Sequence, residues 1–89
     1  MVQVRFTENL SRHVGVAPCE VAGSTVCDAL DAVFARYPRA RGYFLDDQGA
    51  LRKHVNVFID GQPVRDRRGL RDSIGENAEL YLMQALSGG

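Results

Sequence analysis

The sequence carries no excess charge of either sign and no long apolar run. Its 89 residues include eleven acidic and eleven basic side chains, so the formal net charge is zero. Proteins dedicated to nucleic acids or to membrane surfaces usually carry a basic excess. A membrane-spanning helix needs about 20 consecutive apolar residues, and no segment approaches that length. We therefore expect neither a nucleic acid nor a membrane as a partner.

Cysteines are scarce, and the amino terminus lacks the features of a secretory signal. Residues 1–6 alternate apolar and polar side chains instead of forming an apolar core. Cys19 and Cys27 are too few to frame a small secreted domain, so we expect two small buried hydrophobic residues. A disulfide between them, or a redox or sulfur-relay role, is the alternative. These observations predict a cytoplasmic protein. We also expect it to be a monomer by itself.

The common signatures of catalytic and cofactor sites are also absent. The sequence has no glycine-rich phosphate loop, no His and Cys residues at metal-ligand spacing, and no recognisable pair of nucleophile and base. His13 and His54 lie beside predicted turns, where solvation is the simpler expectation. We therefore expect no enzymatic activity, no metal and no permanently bound cofactor.

What is present is a clear alternation of apolar residues. It predicts strands at residues 2–6, 14–21, 55–59 and 78–84. Pro18 has no backbone N–H, so the second strand is expected at a sheet edge. The first two strands are expected to form a hairpin, and the first and last strands to pair at the centre of the sheet.

One segment has helical periodicity instead. It predicts a main helix over about residues 25–37, with Ser24 or Thr25 as its N-cap and Pro38 ending it. Such a helix has to bury its apolar face against one face of a sheet, which predicts an α+β fold with a mixed sheet of four to five strands. The apolar face is formed by Val26, Ala29, Leu30, Val33, Phe34 and Tyr37.

The connections are predicted from turn residues and isolated apolar side chains. Residues 8–12, 46–49 and 60–61 are expected to be turns. Tyr43, Phe44 and Leu45 are expected to pin the loop of residues 39–52 to the core, and Ile74 to anchor a short turn over residues 70–76. Arg65, Arg67, Arg68 and Arg71 form a basic cluster, expected to be exposed, that is either a solvated edge or a surface steering an acidic partner.

The last predicted strand runs directly into Ala85-Leu86-Ser87-Gly88-Gly89. Two glycines without Cβ atoms can enter a narrow slot, and five extended residues reach about 17 Å. The terminal carboxylate is ionised at neutral pH. We therefore expect a domain over residues 1–84 and a flexible tail over residues 85–89, although an ordinary frayed terminus is the alternative.

This combination resembles the ubiquitin-like β-grasp fold, and more narrowly the ThiS/MoaD family of prokaryotic sulfur carriers. The resemblance rests on residues 55–61 followed by Val64, and on residues 80–82 leading to Gly88-Gly89. It implies that an E1-like enzyme uses ATP to adenylate Gly89, with Gly88 giving clearance, and that the adenylate becomes a thiocarboxylate. A biosynthetic enzyme for cysteine, molybdopterin, thiamin or a similar product would then accept the sulfur.

A carrier also needs a docking face. If residues 80 and 82 point toward the helix, then Phe58, Tyr81 and Met83 are exposed on the opposite face, next to Leu86 of the tail. Large apolar groups clustered on a surface are typical of interfaces, so these four residues are the predicted partner contacts. The alternatives are a reversed strand phase or a loop of residues 39–53 folded over the face.

Three other functions remain open at this point. The chain could be a ubiquitin-like modifier conjugated to lysines through Gly89. It could be the small subunit of a complex like molybdopterin synthase, with its tail inserted in a larger subunit. It could also be a plain β-grasp binding module whose Gly-Gly end has no role.

Overall fold

The computed structural model describes residues 1–84, and the predicted tail of residues 85–89 lies outside the described residues. The described chain contains five strands, three α-helices, one π-helical turn and one 3-10 turn. In chain order these are β1 (Val2–Phe6), α1 (Glu8–Leu10), a π-helical turn (Ser11–Gly15), β2 (Cys19–Val21), α2 (Val26–Arg36), a 3-10 turn (Pro38–Ala40), α3 (Arg41–Phe44), β3 (Val55–Ile59), β4 (Gln62–Pro63) and β5 (Glu79–Gln84).

All five strands form one mixed sheet in the order β2-β1-β5-β3-β4. The central strands β1 and β5 are parallel, with Val4 opposite Leu80, and each has an antiparallel neighbour on its outer side. The predicted central pairing and the predicted mixed sheet are therefore confirmed. Within residues 1–84, no helix is both long enough and apolar enough to cross a membrane.

The main helix α2 begins and ends close to where the sequence predicts. The Thr25 hydroxyl oxygen accepts a hydrogen bond from the Asp28 N–H at 3.1 Å, which satisfies one unpaired donor of the first turn. The helix stops before Pro38, and the residues of its apolar face pack on the sheet. Each fully buried Val, Leu or Phe side chain contributes roughly 1.5–3 kcal/mol by removal from water. The buried members are Val26, Ala29, Leu30, Val33 and Phe34.

The first connection differs from the prediction. Residues 8–12 are helical instead of forming a simple turn, because α1 and the π-helical turn together span Glu8–Gly15. The Thr7 hydroxyl caps this segment by accepting from the Leu10 N–H at 3.3 Å, and Leu10 is fully buried. Consequently β2 covers only Cys19–Val21 and not residues 14–21. It lies at the sheet edge, as Pro18 predicts.

The loop after α2 is pinned to the core as predicted. Phe44 is fully buried, with its ring centroid 6.1 Å from Phe6 and 6.0 Å from Phe34, and Leu45 is buried beside it. The turn at residues 46–49 is also confirmed, because an Asp46 carboxylate oxygen accepts from the backbone N–H groups of residues 48 and 50. These bonds to the charged form lower the pKa of Asp46.

The Asp-Gly turn is confirmed, whereas the following segment is organised differently from the prediction. Asp60 and Gly61 have φ of 48° and 86°, which suits a tight turn between β3 and β4. Leu70, and not Ile74, is the principal anchor of the next segment: Leu70 is 2% exposed, while Ile74 is only half-buried. Leu70 takes a positive φ of 55° to reach this position.

Candidate docking face and tail root

The described part of the chain ends with β5. Gln84 is the last described residue of that strand, and it lies opposite Val55, the first residue of β3. The Tyr43 hydroxyl donates a hydrogen bond to Oε1 of Gln84 at 2.8 Å. We call this end of β5 the tail root. The predicted site residues Leu86, Gly88 and Gly89 lie beyond it, outside the described residues.

The strand phase at the predicted docking face is confirmed. Leu80 and Leu82 are fully buried, so the alternate residues of β5 point to the other side of the sheet. There Tyr81 stands opposite Phe58 on β3 and opposite Arg5 on β1. We call the surface of Phe58, Tyr81 and Met83 the outer face.

The exposure of the outer face is less uniform than the sequence predicts. Tyr81 is exposed, with 36% of its surface accessible. Phe58 and Met83 are less exposed than predicted, because both are half-buried. Side chains that lie opposite each other on neighbouring strands are close enough to shield one another, and Phe58 has Tyr81 as such a neighbour. Tyr81 is therefore the most accessible of the three residues of the outer face.

The loop of residues 39–53 does not provide the cover that the alternative interpretation requires. Its apolar side chains Phe44, Leu45 and Leu51 join the core cluster together with Phe6 and Phe34. That cluster lies between the sheet and α2. The loop therefore packs on the helix side of the sheet, opposite the outer face.

The predicted basic cluster does not form one exposed surface. Arg67 is half-buried, and its guanidinium donates hydrogen bonds to three oxygen atoms. These are the backbone carbonyl oxygens of Arg52 at 2.9 Å and Val55 at 2.7 Å, and the side-chain Oδ1 of Asn56 at 3.2 Å. Arg67 holds the start of β3, where the Arg52 carbonyl also accepts from the Val55 N–H at 3.0 Å. Its neighbour Arg68 is exposed and lines a separate cleft.

The other two members of the cluster are elsewhere. Arg65 and Arg71 line a different cleft, together with Asp66 and Asp72. No signal in the sequence separates these arginines, since all four lie in one polar segment without periodicity.

Two histidines flank the tyrosine at the tail root. The ring centroid of Tyr43 lies 5.7 Å from that of His13 and 5.3 Å from that of His54, both in edge-on contact. The expectation that these histidines are merely solvated missed this packing. Among the described residues, no three His, Cys, Asp or Glu side chains are grouped so that they could hold a metal ion.

The two cysteines are free and only partly buried. Burial raises the pKa of the Cys19 thiol, and burial together with the carboxylate of Asp31 raises the pKa of the Cys27 thiol. Since the thiolate is the nucleophilic form, both groups are less reactive than an ordinary cysteine at neutral pH. The structure therefore favours packing as their role.

Known proteins resemble this chain over most of its length. A family model described as the ThiS family matches residues 5–89. The small archaeal modifier protein 1 of Haloferax volcanii is 33% identical over 81 residues, which cover 79% of this chain and 88% of that protein.

Solved structures show the same fold. A chain in the crystal structure of the Amycolatopsis orientalis BexX/CysO complex superposes with a TM-score of 0.84 at 26% identity, covering 100% of both chains. The crystal structure of the Haloferax volcanii modifier superposes with a TM-score of 0.77 at 28% identity, covering 99% of this chain and 98% of that one. With its α+β β-grasp fold, the chain belongs to the ThiS family of ubiquitin-like small proteins, which are sulfur carriers or modifiers and not enzymes.

Proposed function

We propose that this chain carries sulfur as a thiocarboxylate on Gly89, in the cytoplasm, after adenylation of that residue by an E1-like enzyme. The observation that carries the proposal is the family match, which continues through Gly88-Gly89. The position of β5 supports it, because this central strand ends five positions before Gly89 in the sequence.

The chemistry explains why a partner is needed. A carboxylate is a poor electrophile, so an oxygen of the Gly89 carboxylate first attacks the α-phosphorus of ATP and pyrophosphate leaves. Hydrosulfide then attacks the acyl carbon, AMP leaves and the S–H proton is lost to solvent, which gives the thiocarboxylate. The adenylating enzyme supplies the ATP site, so this chain needs no cofactor of its own. Its own task is to present Gly89 on a thin segment, which Gly88 permits because it has no Cβ.

The outer face is the proposed contact with the adenylating enzyme. Tyr81 and Met83 lie on the strand that leads to the tail, and Phe58 lies beside Tyr81 on β3. Five extended residues reach about 17 Å, so an enzyme bound to this face could receive Gly89 in a nearby slot. Leu86 would extend the same apolar contact into the tail. A structure with a similar chain is that of a complex between BexX and CysO, which supports a function through a protein partner.

A second candidate is conjugation of this chain to other proteins through Gly89. It is favoured by the 33% identity to a small archaeal modifier protein. Both functions begin with the same adenylate and differ in the nucleophile that follows, a sulfur atom for the carrier and a lysine amine for the modifier. The sulfur acceptor, an enzyme of cysteine, molybdopterin, thiamin or similar biosynthesis, belongs to the carrier proposal.

Mass spectrometry of the intact protein from its native host tests the proposal first. We expect a species in which sulfur replaces one oxygen, located in the fragment that contains Gly89. With the purified E1-like enzyme, ATP and sulfide, we expect AMP release that is lost on deletion of Gly89 and retained in Ser87→Ala. A ladder of larger species on immunoblots would support the modifier function instead. Absence of both the sulfur species and AMP release would leave a plain binding module.

A further inference from the structure

A basic cleft opens at the end of the sheet where the chain leaves β5. Its volume is about 620 Å³. Because the whole chain has zero net charge, the excess of positive side chains in this cleft is a local feature. The charged and titratable residues that line it are Asp46, Arg52, Lys53, His54, Arg67 and Arg68.

The basic cleft adjoins the tail root and reaches the edge of the outer face through Arg67. Residues 52–54 immediately precede Val55, which is opposite Gln84 at the tail root. On its other side, Arg67 donates to the Oδ1 atom of Asn56, and Asn56 is opposite Met83 of the outer face. A partner that covers the outer face and receives the tail would therefore also cover the cleft.

Most of the charged groups in the cleft are already occupied. Asp46 accepts backbone N–H groups at 2.8 and 3.0 Å, Arg67 is bonded to three oxygen atoms, and the Arg52 Nε donates to the Gly42 carbonyl at 2.9 Å. Lys53 and Arg68 are exposed, and their side chains make no hydrogen bond or ion pair with any residue in the range 1–84. These two cations are available to an external acid.

We propose that the basic cleft binds acidic side chains of the adenylating enzyme, with Lys53 and Arg68 as the principal contacts. The inference rests on the proposed function and adds the chemistry of the partner surface. A nucleic acid fits less well, because it would need a longer track of free cations and stacking aromatics than two side chains beside one exposed tyrosine. A small buried phosphate also fits less well, since the most enclosed guanidinium, that of Arg67, already has its acceptors.

The expected effect is mainly on the rate of association. Exposed charges at the edge of an interface steer the encounter, and salt screens them over about 8 Å at physiological ionic strength. The cleft would orient the tail root toward the enzyme before the apolar contacts of the outer face form.

Charge reversal with a matched control tests this. In Lys53→Glu/Arg68→Glu, we expect association with the E1-like enzyme from the same organism to slow about tenfold at ~50 mM salt, with most of the difference lost at ~500 mM. The control Arg36→Glu/Arg39→Glu changes the net charge equally but alters a different cleft, lined by Val14 and Tyr37 among others. Its association rate should stay within about twofold of wild type. Melting temperatures of both variants check that folding is intact.

Carbodiimide coupling gives a second, independent measurement. The reagent activates a carboxylate, and a neighbouring amine displaces the urea leaving group to form an amide. Lys53 is the only lysine in the sequence, so a cross-link from this cleft to an enzyme carboxylate must form at residue 53. We expect a peptide that joins Lys53 to an Asp or Glu of the enzyme, and none in Lys53→Arg, which keeps the charge and loses the coupling amine.

The outcomes separate this inference from the proposed function. If the enzyme releases AMP with wild type, but both charge-reversed variants associate alike and no Lys53 cross-link forms, the cleft inference is wrong and the carrier function stands. If the wild-type protein supports no AMP release, the cleft inference and the proposed carrier function are both wrong. Binding of a single-stranded RNA that only Lys53→Glu/Arg68→Glu abolishes, with enzyme association unchanged, would assign the cleft to nucleic acid and overturn the inference.

Discussion

The hydroxyl of Tyr43 donates a 2.8 Å hydrogen bond to Oε1 of Gln84, although 41 residues of chain separate them. The Tyr43 ring also lies edge-on against Phe44, with centroids 5.5 Å apart, and Phe44 is fully buried. One side chain therefore connects the core to the last described residue before the tail. This contact fixes the end of β5 independently of the sheet hydrogen bonds.

Replacing Tyr43 with Phe isolates this hydrogen bond, because the ring and its packing are kept. We expect the free energy of unfolding to fall by about 0.5–1.5 kcal/mol, the usual net contribution of one hydrogen bond. Urea denaturation of wild type and variant measures this difference. Amide hydrogen exchange at Gln84 should become faster in Tyr43→Phe, because the strand end would open more often.

Tyr37→Phe is the matched control. Tyr37 is also half-buried, and its hydroxyl has no hydrogen-bond partner among residues 1–84. Its free energy of unfolding should stay within about 0.5 kcal/mol of wild type. Equal losses in the two variants would show that the hydroxyl of Tyr43 contributes nothing specific to the tail root.

Arg67 and Arg68 form a second natural pair of variants. Arg67→Ala removes the side-chain donors to the carbonyls of Arg52 and Val55, although the Arg52 oxygen keeps its bond from the Val55 N–H. We expect a loss of about 1.5–3 kcal/mol in the free energy of unfolding, the range for hydrogen bonds to charged groups. Arg68→Ala should change it by less than about 0.5 kcal/mol, because Arg68 is exposed.

Arg67→Lys sharpens the comparison. An ammonium group lacks the planar fork that allows one guanidinium to reach several acceptors at once. We therefore expect Arg67→Lys to remain less stable than wild type in the same urea titration. Full recovery with lysine would mean that charge alone, and not hydrogen-bond geometry, holds the start of β3.

The sequence could predict the elements whose pattern is local and repeated. The helix periodicity over residues 25–37 and the alternation in β5 each depend on several side chains in succession, so the apolar face of α2 and the inward phase of Leu80 and Leu82 were predictable. The Asp60-Gly61 turn was predictable because few residues accept a positive φ.

The features that the sequence did not reveal depend on single contacts between distant residues. α1 has three residues, which is too short for a helical period. Nothing local distinguishes Arg67 from Arg68, because the difference lies in which carbonyls of residues 52 and 55 need a donor. The hydrogen bond from Tyr43 to Gln84 is likewise set by the tertiary fold, so the contact of Tyr43 with the tail root could be found only in the structure.

The outer face gives a prediction that separates binding from stability. Tyr81→Ala should weaken association with the adenylating enzyme by about tenfold or more, since exposed aromatics are frequent energetic centres of interfaces. Its effect on unfolding should be modest, because Tyr81 is 36% exposed. Surface plasmon resonance and urea denaturation on the same samples measure both quantities.

The neighbouring Leu80 provides the control for Tyr81. Leu80 is fully buried, so Leu80→Ala should lose about 2–5 kcal/mol of unfolding free energy by leaving a cavity. Phe58→Ala should fall between the two, since Phe58 is half-buried. An equal stability loss in Tyr81→Ala and Leu80→Ala, with unchanged enzyme binding, would argue against a docking role for this face.

The carboxylate of Asp66 predicts how one part of the stability depends on pH. It accepts hydrogen bonds from the backbone N–H groups of Gly69 at 2.9 Å and Arg71 at 3.2 Å. These bonds, that of Gly69 first, lower the pKa of Asp66 below its usual value of 3.8. Because the folded-state pKa is the lower one, the charged carboxylate stabilises the fold above the unfolded-state pKa. This contribution is lost as the pH falls through the folded-state pKa.

An NMR titration of the side-chain carboxyl carbon of Asp66 should therefore have its midpoint below pH 3.8. Asp66→Asn should be less stable than wild type at neutral pH, and the difference should shrink as the solution becomes more acidic than that midpoint. A midpoint at or above the usual value would mean that the two backbone bonds do not persist in solution. The segment that buries Leu70 would then need another source of order, because Asp66 accepts the N–H bonds on both sides of that residue.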